Sequence, residues 1–301
     1  MNVSFRQMRL FLALAETGSV TAAARWMHVT QPTASMQLRE ISEAVGLPLY
    51  ELISRRVHLT DAGRELARTA RAMVSEWDSF SQKVDALQGL RRGQLRLAVV
   101  NTAQYFIPRL LGSFCAAHPN IDVALQVLNR DGVLGRMREN QDDLYIMSRP
   151  PSDIELEDRV FMSNPLKVIA PLKHKLATRK HIALHELREE RFILREQGSG
   201  TRMATDSHFE SARFTPTVRL ELGSNEAIRE AVAAGLGLSV LSAHALGQQP
   251  KQHGVTVLRV EGFPLPSQWH IVWPKGKRLS PVAQVFGQHL EKASRRQTTP
   301  G

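Results

Sequence analysis

Through residues 4–45 the apolar positions recur three and four apart, interrupted at glycines. Phe5, Met8, Leu12 and Ala15 define one helix over 4–17, and Gly18 ends it in the left-handed conformation that glycine adopts cheaply. A second helix begins at once: Ser19 or Thr21 can cap it, Ala22-Ala23-Ala24 lets it pack closely, and it ends by about Met27. The turn His28-Val29-Thr30 follows. Thr30 is placed to cap a third helix, with Pro32 in the first turn where a missing N–H costs nothing. That helix carries Ala34, Leu38, Ile41 and Val45 on one stripe and closes at Gly46. Two short helices separated by about three residues, the second opening on small polar side chains, form the helix-turn-helix pattern. Glu51 to Thr60 is compatible with β-structure and contains Arg55-Arg56, which reads as a wing.

The next helix is the most regular in the chain. Leu66, Ala70, Met73, Trp77, Phe80, Val84 and Leu87 recur at alternating steps of four and three, a heptad seam of about three heptads spanning about 32 Å. Sustained 3.5-residue spacing favours a seam between two copies of the chain, for which Leu66, Met73, Trp77, Phe80, Val84 and Leu87 are the candidates. A stripe buried within the helix's own domain is the alternative. Gly89 to Gly93, with Arg91-Arg92, reads as a hinge.

From Gln94 the pattern changes to alternating strands and helices. Strands are expected at 95–100, 122–128, 143–147, 166–170, 191–194, 218–222, 238–241, 255–260 and 269–273, and helices at 105–117, 132–139, 201–212, 225–234 and 281–294. Such alternation predicts open parallel or mixed sheets with helices on both faces, whose ligands lie at the carboxyl ends of strands. The tail from Arg295 to Gly301 reads as disordered.

Length and charge narrow the class. With 301 residues against roughly 100–200 per domain, two or three units are expected. A balance of 39 Lys and Arg against 29 Asp and Glu favours polyanionic or anionic partners such as nucleic acid or phosphorylated metabolites. The charge does not locate a DNA-binding face, because the first sixty residues hold six Arg, no Lys and four Glu. Cys115 has no second thiol to pair with, so a disulfide framework and a zinc site are not expected. The N-terminus lacks an apolar core of the signal-peptide type and no stretch of eighteen apolar residues exists, so a cytoplasmic protein without a membrane partner is expected.

Two regions carry candidate chemistry. The start of the third helix offers Thr30, Gln31, Pro32, Thr33, Ser35, Met36 and Gln37 to DNA. Of these, Gln31, Thr33, Met36 and Gln37 lie off the core stripe. A Gln can pair bidentately with adenine, and Thr or Met methyls can touch thymine. Arg55 and Arg56 would enter or flank the minor groove, the alternative for both regions being solvated surface. In Gln197-Gly198-Ser199-Gly200-Thr201-Arg202, two glycines and two hydroxyls precede a helix, a way of offering backbone N–H groups to a carboxylate or phosphate. Ser199, Gly200, Thr201 and Arg202 are therefore candidate effector residues, unless the segment is only a capped loop. Asn101-Thr102 and Arg149, each just past a strand, face the same cleft in a two-lobed arrangement, and Asn225 at another helix start joins them.

The first sixty-odd residues also resemble the LysR family of bacterial transcriptional regulators. The matching residues are Phe5-Arg6-Gln7-Met8 with Phe11, Gly18 to Ala24, Thr30 to Ser35 with Leu38, Gly46 to Tyr50, and Val57 to Gly63. The remainder fits the family's effector domain in length and element order. The resemblance implies an α/β protein with an N-terminal all-α winged helix-turn-helix over 1–60, a long linker and dimerisation helix over 61–92, and a two-lobed, periplasmic-binding-protein-like effector domain over 93–301. Its lobe I takes about 93–163 and 267–295, and lobe II about 164–266. Two positions depart from the family's habit: Met36 and Leu52 stand where Arg is common.

Within the family, Ile146 to Pro151 together with Gly198 to Arg202 resemble the regulators of Calvin-cycle carbon-fixation operons. That resemblance implies double-stranded promoter DNA and a small anionic, phosphorylated metabolite or nucleotide as partners. The resemblance to the LysR family as a whole implies a homodimer pairing into a tetramer, activation, and RNA polymerase as a further partner. No cofactor or metal is expected.

The main rival reading is an enzyme. No nucleophile elbow, zinc cluster, dinucleotide fingerprint or paired carboxylates on one helix face are found, and Gly235-Leu236-Gly237 follows a helix rather than a strand. A cytoplasmic small-molecule-binding protein of the periplasmic-binding fold, without a gene-regulatory role, is the second alternative.

Overall fold

A computed structural model describes residues 2–53, 56–87 and 93–297. The chain divides near residue 88 into two compact units.

The first unit opens with α1 (Phe5–Thr17), α2 (Val20–Trp26) and α3 (Gln31–Val45). Local chemistry sets their limits. Ser4 and Gln7 form a reciprocal capping box at the start of α1, and Gly18 closes the helix with φ 62°. Ser19 caps α2 by accepting from the Ala22 N–H. Thr30 accepts from the Thr33 N–H at the start of α3, Pro32 lies in the first turn, and Gly46 takes the left-handed conformation at its end. The core holds Leu10, Phe11, Leu14, Ala23, Ala34, Leu38, Ile41 and Leu49. Strands β1 (Tyr50–Ile53) and β2 (Arg56–Leu59) pair antiparallel, with Ile53 opposite Arg56.

α4 (Asp61–Leu87) follows and seats its first turns on that core through the buried Ala67 and Ala70. The Thr60 hydroxyl accepts from the Gly63 N–H at 3.1 Å and donates to the Pro48 carbonyl at 2.7 Å. This draws Gly63 so close to the Leu49 carbonyl that a Cβ at 63 would lie 1.9 Å from its oxygen. The expected hinge at Gly89 to Gly93 falls, through Arg92, outside the described residues.

Among the described residues the second unit contains a five-stranded, a three-stranded and a two-stranded sheet. In chain order its first elements are β3 (Gly93–Val100), a 3-10 turn (Asn101–Tyr105), α5 (Ile107–Ala117), β4 (Ile121–Leu128), α6 (Arg130–Arg138), β5 (Leu144–Met147) and β6 (Leu156–Ser163). They are followed by β7 (Leu166–Pro171), β8 (Arg191–Arg195), α7 (Gly200–Ser211), β9 (Thr217–Leu222), α8 (Asn225–Ala233), β10 (Ser239–Ser242), α9 (Ala243–Leu246) and β11 (Val255–Val257). The chain ends with β12 (Gln268–Pro274) and α10 (Pro281–Gln297).

Lobe I is built on a five-stranded sheet of order β4-β3-β5-β12-β6, in which β3 runs parallel to β4 and β5 while β12 runs antiparallel to β5 and β6. All four residues of β5 are buried, as expected of a strand covered on both faces. On β3, Leu95, Leu97 and Val99 pack with Ile107, Phe114, Trp269 and Phe286, whereas Ala98 faces Val133, Tyr145 and Met147 on the other side. Lobe II holds an antiparallel sheet β10-β7-β11 and the parallel pair β8-β9, joined by a bridge between Phe192 and Leu238. Two crossings link the lobes. There the Asn164 backbone N–H donates to the Ser267 carbonyl at 2.8 Å, and the Oδ1 of the buried Asn164 side chain accepts from the Ser242 hydroxyl at 2.6 Å.

Three expectations are corrected. β6 was not anticipated: of its eight residues only Phe161 is buried, so no hydrophobic alternation announces it. The helix expected from Tyr105 begins at Ile107, after the 3-10 turn. The tail expected to be disordered from Arg295 is helical as far as Gln297.

Candidate functional site

In the first unit the start of α3 presents Thr30, Gln31, Pro32 and Met36 to solvent, with Thr33, Ser35 and Gln37 half-buried beside them. The Thr30 and Thr33 hydroxyls share a hydrogen bond of 2.7 Å, and Gln31 Nε2 donates to the Ser35 hydroxyl at 3.1 Å. The polar side chains of the first turn are thus held in fixed orientations outside the Ala34/Leu38/Ile41 core. Arg56 is exposed at the start of β2. Arg55 lies outside the described residues. The sequence reading missed the apolar side of the wing: Leu52 and Ile53 are both more than half exposed on β1.

The stripe along α4 divides. Leu66 is half-buried against the first unit's own core, as is Val74, and Ala70 is fully buried there. Leu66 is therefore not part of an exposed seam. Farther along, Met73, Trp77 and Phe80 are 46%, 57% and 55% exposed, and Trp77 lies 5.8 Å from Phe5 and 5.7 Å from Phe80 between ring centroids. Val84 is half-buried, and the Leu87 side chain lies outside the described residues.

In the second unit a narrow polar cleft opens between the lobes. Lobe I lines it with Asn101, Thr102, Asn129, Arg130, Ser148 and Arg149, and lobe II with Arg195, Glu196, Ser199, Gly200 and Thr201. These residues sit at the carboxyl ends of β3, β4, β5 and β8 and at the start of α7. The buried Ser199 caps α7 by accepting from the Arg202 N–H at 3.1 Å. Gly200 lets the lobes approach closely, since a Cβ there would lie 2.5 Å from the Ser148 hydroxyl. Arg149 is exposed, and Arg130 donates to the Arg149 carbonyl at 3.2 Å. Burial lowers the pKa of the Arg130 guanidinium from its ordinary value.

Asn101, Thr102, Arg149, Ser199, Gly200 and Thr201 thus come together as the sequence suggested. Arg202 does not. Its guanidinium donates to Asp206 at 2.8 Å, to Glu221 at 2.8 Å and to the Arg195 carbonyl at 2.8 Å. Burial works against its charge, but the bonds to Glu221 and Asp206 prevail and raise its pKa, while Arg202 in turn holds Glu221 below the usual carboxylate range. A cation already engaged by two carboxylates ties α7 to β8 and β9 rather than serving the cleft. Asn225 also stands back from it: buried, its carbonyl accepts from Arg195 Nη1 at 2.8 Å and its amide donates to Thr102 at 3.2 Å.

Sequence reading missed Arg195, which is only 4% exposed and is held bidentately by Glu196 at 2.7 and 2.8 Å. It also missed Asn129, Arg130 and Ser148. The strand-end rule reaches all of these, because each follows or ends a lobe strand. Three arginines and one glutamate leave the cleft with a surplus of positive charge, beside hydroxyls and a helix N-terminus. Such a lining suits a small multiply charged anion.

A winged helix-turn-helix followed by a two-lobed domain with a polar interlobe cleft defines a ligand-responsive DNA-binding regulator. Residues 5–64 match the bacterial regulatory helix-turn-helix family of LysR type, and residues 88–295 match the LysR substrate-binding domain. The chain belongs to the LysR family of transcriptional regulators, a family of regulators and not of enzymes. It is 44% identical over 289 residues to the HTH-type transcriptional activator CmpR of Synechocystis, covering 96% of this chain and 95% of that protein. It is 41% identical over 293 residues to the RuBisCO operon transcriptional regulator of Acidithiobacillus ferrooxidans, covering 97% and 95%. Among solved structures, the Synechocystis CcmR regulatory domain in complex with 2-PG is 45% identical with a TM-score of 0.66, covering 70% of this chain and all of that one. Full-length CbnR complexed with its target DNA shares the fold at 23% identity and a TM-score of 0.69, covering 97% of this chain and all of that one. The match over residues 5–64 sets aside the reading of a binding protein without a regulatory role. Among the described residues no helix is long and apolar enough to cross a membrane.

Proposed function

We propose that this protein activates an operon of carbon fixation, binding promoter DNA through α3 and the wing, and that a small phosphorylated metabolite in the interlobe cleft sets its activity. The observation that carries this reading is the cleft itself. Arg130, Arg149 and Arg195 surround the Ser199-capped start of α7, in a domain that is 45% identical to one described in complex with 2-PG. The curated relatives named for carbon-fixation operons extend the likeness over nearly the whole chain. The ligand that tests the reading is 2-phosphoglycolate, which carries a phosphate dianion and a carboxylate. Calorimetry of the full chain should show binding, and gel shifts on the promoter region beside its own gene should change when it is added. No heat and no change in shift would remove the cleft from effector sensing.

On DNA, Arg56 is proposed as a phosphate contact of the wing, with Gln31, Thr33, Met36 and Gln37 reaching base edges. Arg56→Ala should weaken binding to every sequence alike and make the plot of log affinity against log salt shallower by about one unit. A slope equal to that of the wild type would take Arg56 out of the interface.

The exposed Met73, Trp77 and Phe80 are proposed to meet a second copy of α4. Phe80→Asp would place an unpaired charge in that seam, so the chain should dissociate toward monomers in analytical ultracentrifugation. Sedimentation identical to that of the wild type would locate the contact between copies elsewhere.

A further inference from the structure

Beside the cleft, side chains of the two lobes bond directly to each other. Tyr105 Oη donates to Glu226 Oε1 at 2.6 Å, and Gln104 Nε2 donates to the same oxygen at 3.1 Å. Gln104 and Tyr105 belong to the 3-10 turn that leaves β3 in lobe I, and Glu226 to the first turn of α8 in lobe II. The other carboxylate oxygen accepts from the Ser224 hydroxyl at 2.9 Å, which fixes the plane of the group. One position along, Asn225 and Arg195 of lobe II each donate to the Thr102 hydroxyl of lobe I at 3.2 Å. Neither Tyr105 nor Glu226 lines the cleft.

We propose that Tyr105 and Glu226 are positioning residues, a latch that holds the two lobes together in the free protein and so presets the cleft to receive its anion. The inference rests on the effector reading above. A phenol donating to an ionised carboxylate makes a short, charge-assisted bond, stronger than a neutral one. Both groups are held in the states that this bond requires. Burial and then Glu226 push the Tyr105 hydroxyl above its ordinary range, so it keeps its proton. For Glu226 burial acts in the opposite sense, but the bond from Tyr105 prevails and lowers its pKa, so it stays ionised. The first turn of α8 adds the favourable end of the helix dipole. Ligand affinity is reduced by the fraction of protein not in the competent conformation, so a latch that populates the closed cleft raises affinity without touching the ligand.

The test uses full-length Tyr105→Phe, Glu226→Ala and Glu226→Gln with 2-phosphoglycolate as the probe, followed by calorimetry and by hydrogen exchange of the free proteins. Tyr105→Phe and Glu226→Ala should each weaken binding about tenfold, and the double variant should be no weaker than either alone. Glu226→Gln, which keeps an acceptor for the Tyr105 hydroxyl, should restore most of the affinity. Without ligand, amides in 101–105 and 225–229 should exchange faster in Tyr105→Phe than in the wild type. If the wild type binds the probe and Tyr105→Phe binds it equally tightly, the latch is overturned and the effector reading stands. If the wild type binds none, the effector reading falls and exchange alone decides: faster exchange supports the latch, and unchanged exchange overturns it.

Discussion

Gly63→Ala is expected to lower the stability of the DNA-binding unit by about 3 kcal/mol or more and with it to abolish promoter binding. The added methyl would stand 1.9 Å from the Leu49 carbonyl oxygen and 2.9 Å from the carbonyl carbon. Neither atom can swing aside as a side-chain end would. The Leu49 carbonyl accepts from the Thr60 N–H at 3.1 Å, and its own side chain is fully buried among α1 to α3. Relief of the clash therefore requires α4 to lift from the core, which exposes Ala67 and Ala70 and breaks the bond from Gly63 to Thr60. Scanning calorimetry of the full chain should show one transition moved to lower temperature, and gel shifts should fail, while uptake of 2-phosphoglycolate by the other unit continues. A variant with the wild-type thermogram and wild-type DNA affinity would show that this contact is easily relieved.

Arg149→Ala is expected to weaken binding of 2-phosphoglycolate by about 10–100-fold, the worth of one charge-assisted contact to an anion. Arg149 is the exposed cation of the cleft, and no side-chain acceptor engages its guanidinium among the described residues. Arg195, by contrast, already has Glu196, Thr102 and Asn225. Arg202→Ala should weaken binding less, because its guanidinium is held by Asp206 and Glu221 outside the cleft. Promoter affinity measured without effector should be unaffected by Arg149→Ala. Calorimetry on both variants separates the roles, and equal affinities for wild type and Arg149→Ala would move the anion to other groups.

The helix-turn-helix was legible because its boundaries are set by local chemistry: Thr30, Pro32, Gly18 and Gly46 act within one turn of where they stand. The five-stranded sheet was legible in part, since β3, β4 and β5 announce themselves by apolar runs while β6 exposes Glu157, Asp158 and Arg159 and does not. The seam on α4 shows what periodicity leaves open. Leu66 and Ala70 belong to the same heptad stripe as Trp77 and Phe80, and spacing alone does not say whether a stripe meets its own domain or solvent. The cleft was located by the rule of strand ends and by the glycine loop, yet its buried cation was overlooked because a charged residue at a strand end, followed by Glu196, does not by itself announce burial. The misplaced Arg202 carried its own warning, since Asp206 lies four residues on along the same helix face.

The order of strands in lobe I also constrains how the chain is made. β12 lies between β5 and β6, and among the described residues β6 has no other neighbour in the sheet. During synthesis β5 therefore keeps one open edge and β6 stays unpaired until residue 274 has emerged, whereas the strands of lobe II lie wholly within 166–257. The later lobe in the sequence is the first to be complete. A chain made from its N-terminus thus presents every strand of lobe II before the sheet of lobe I can close, and an open strand edge is the kind of surface that pairs with a neighbouring chain.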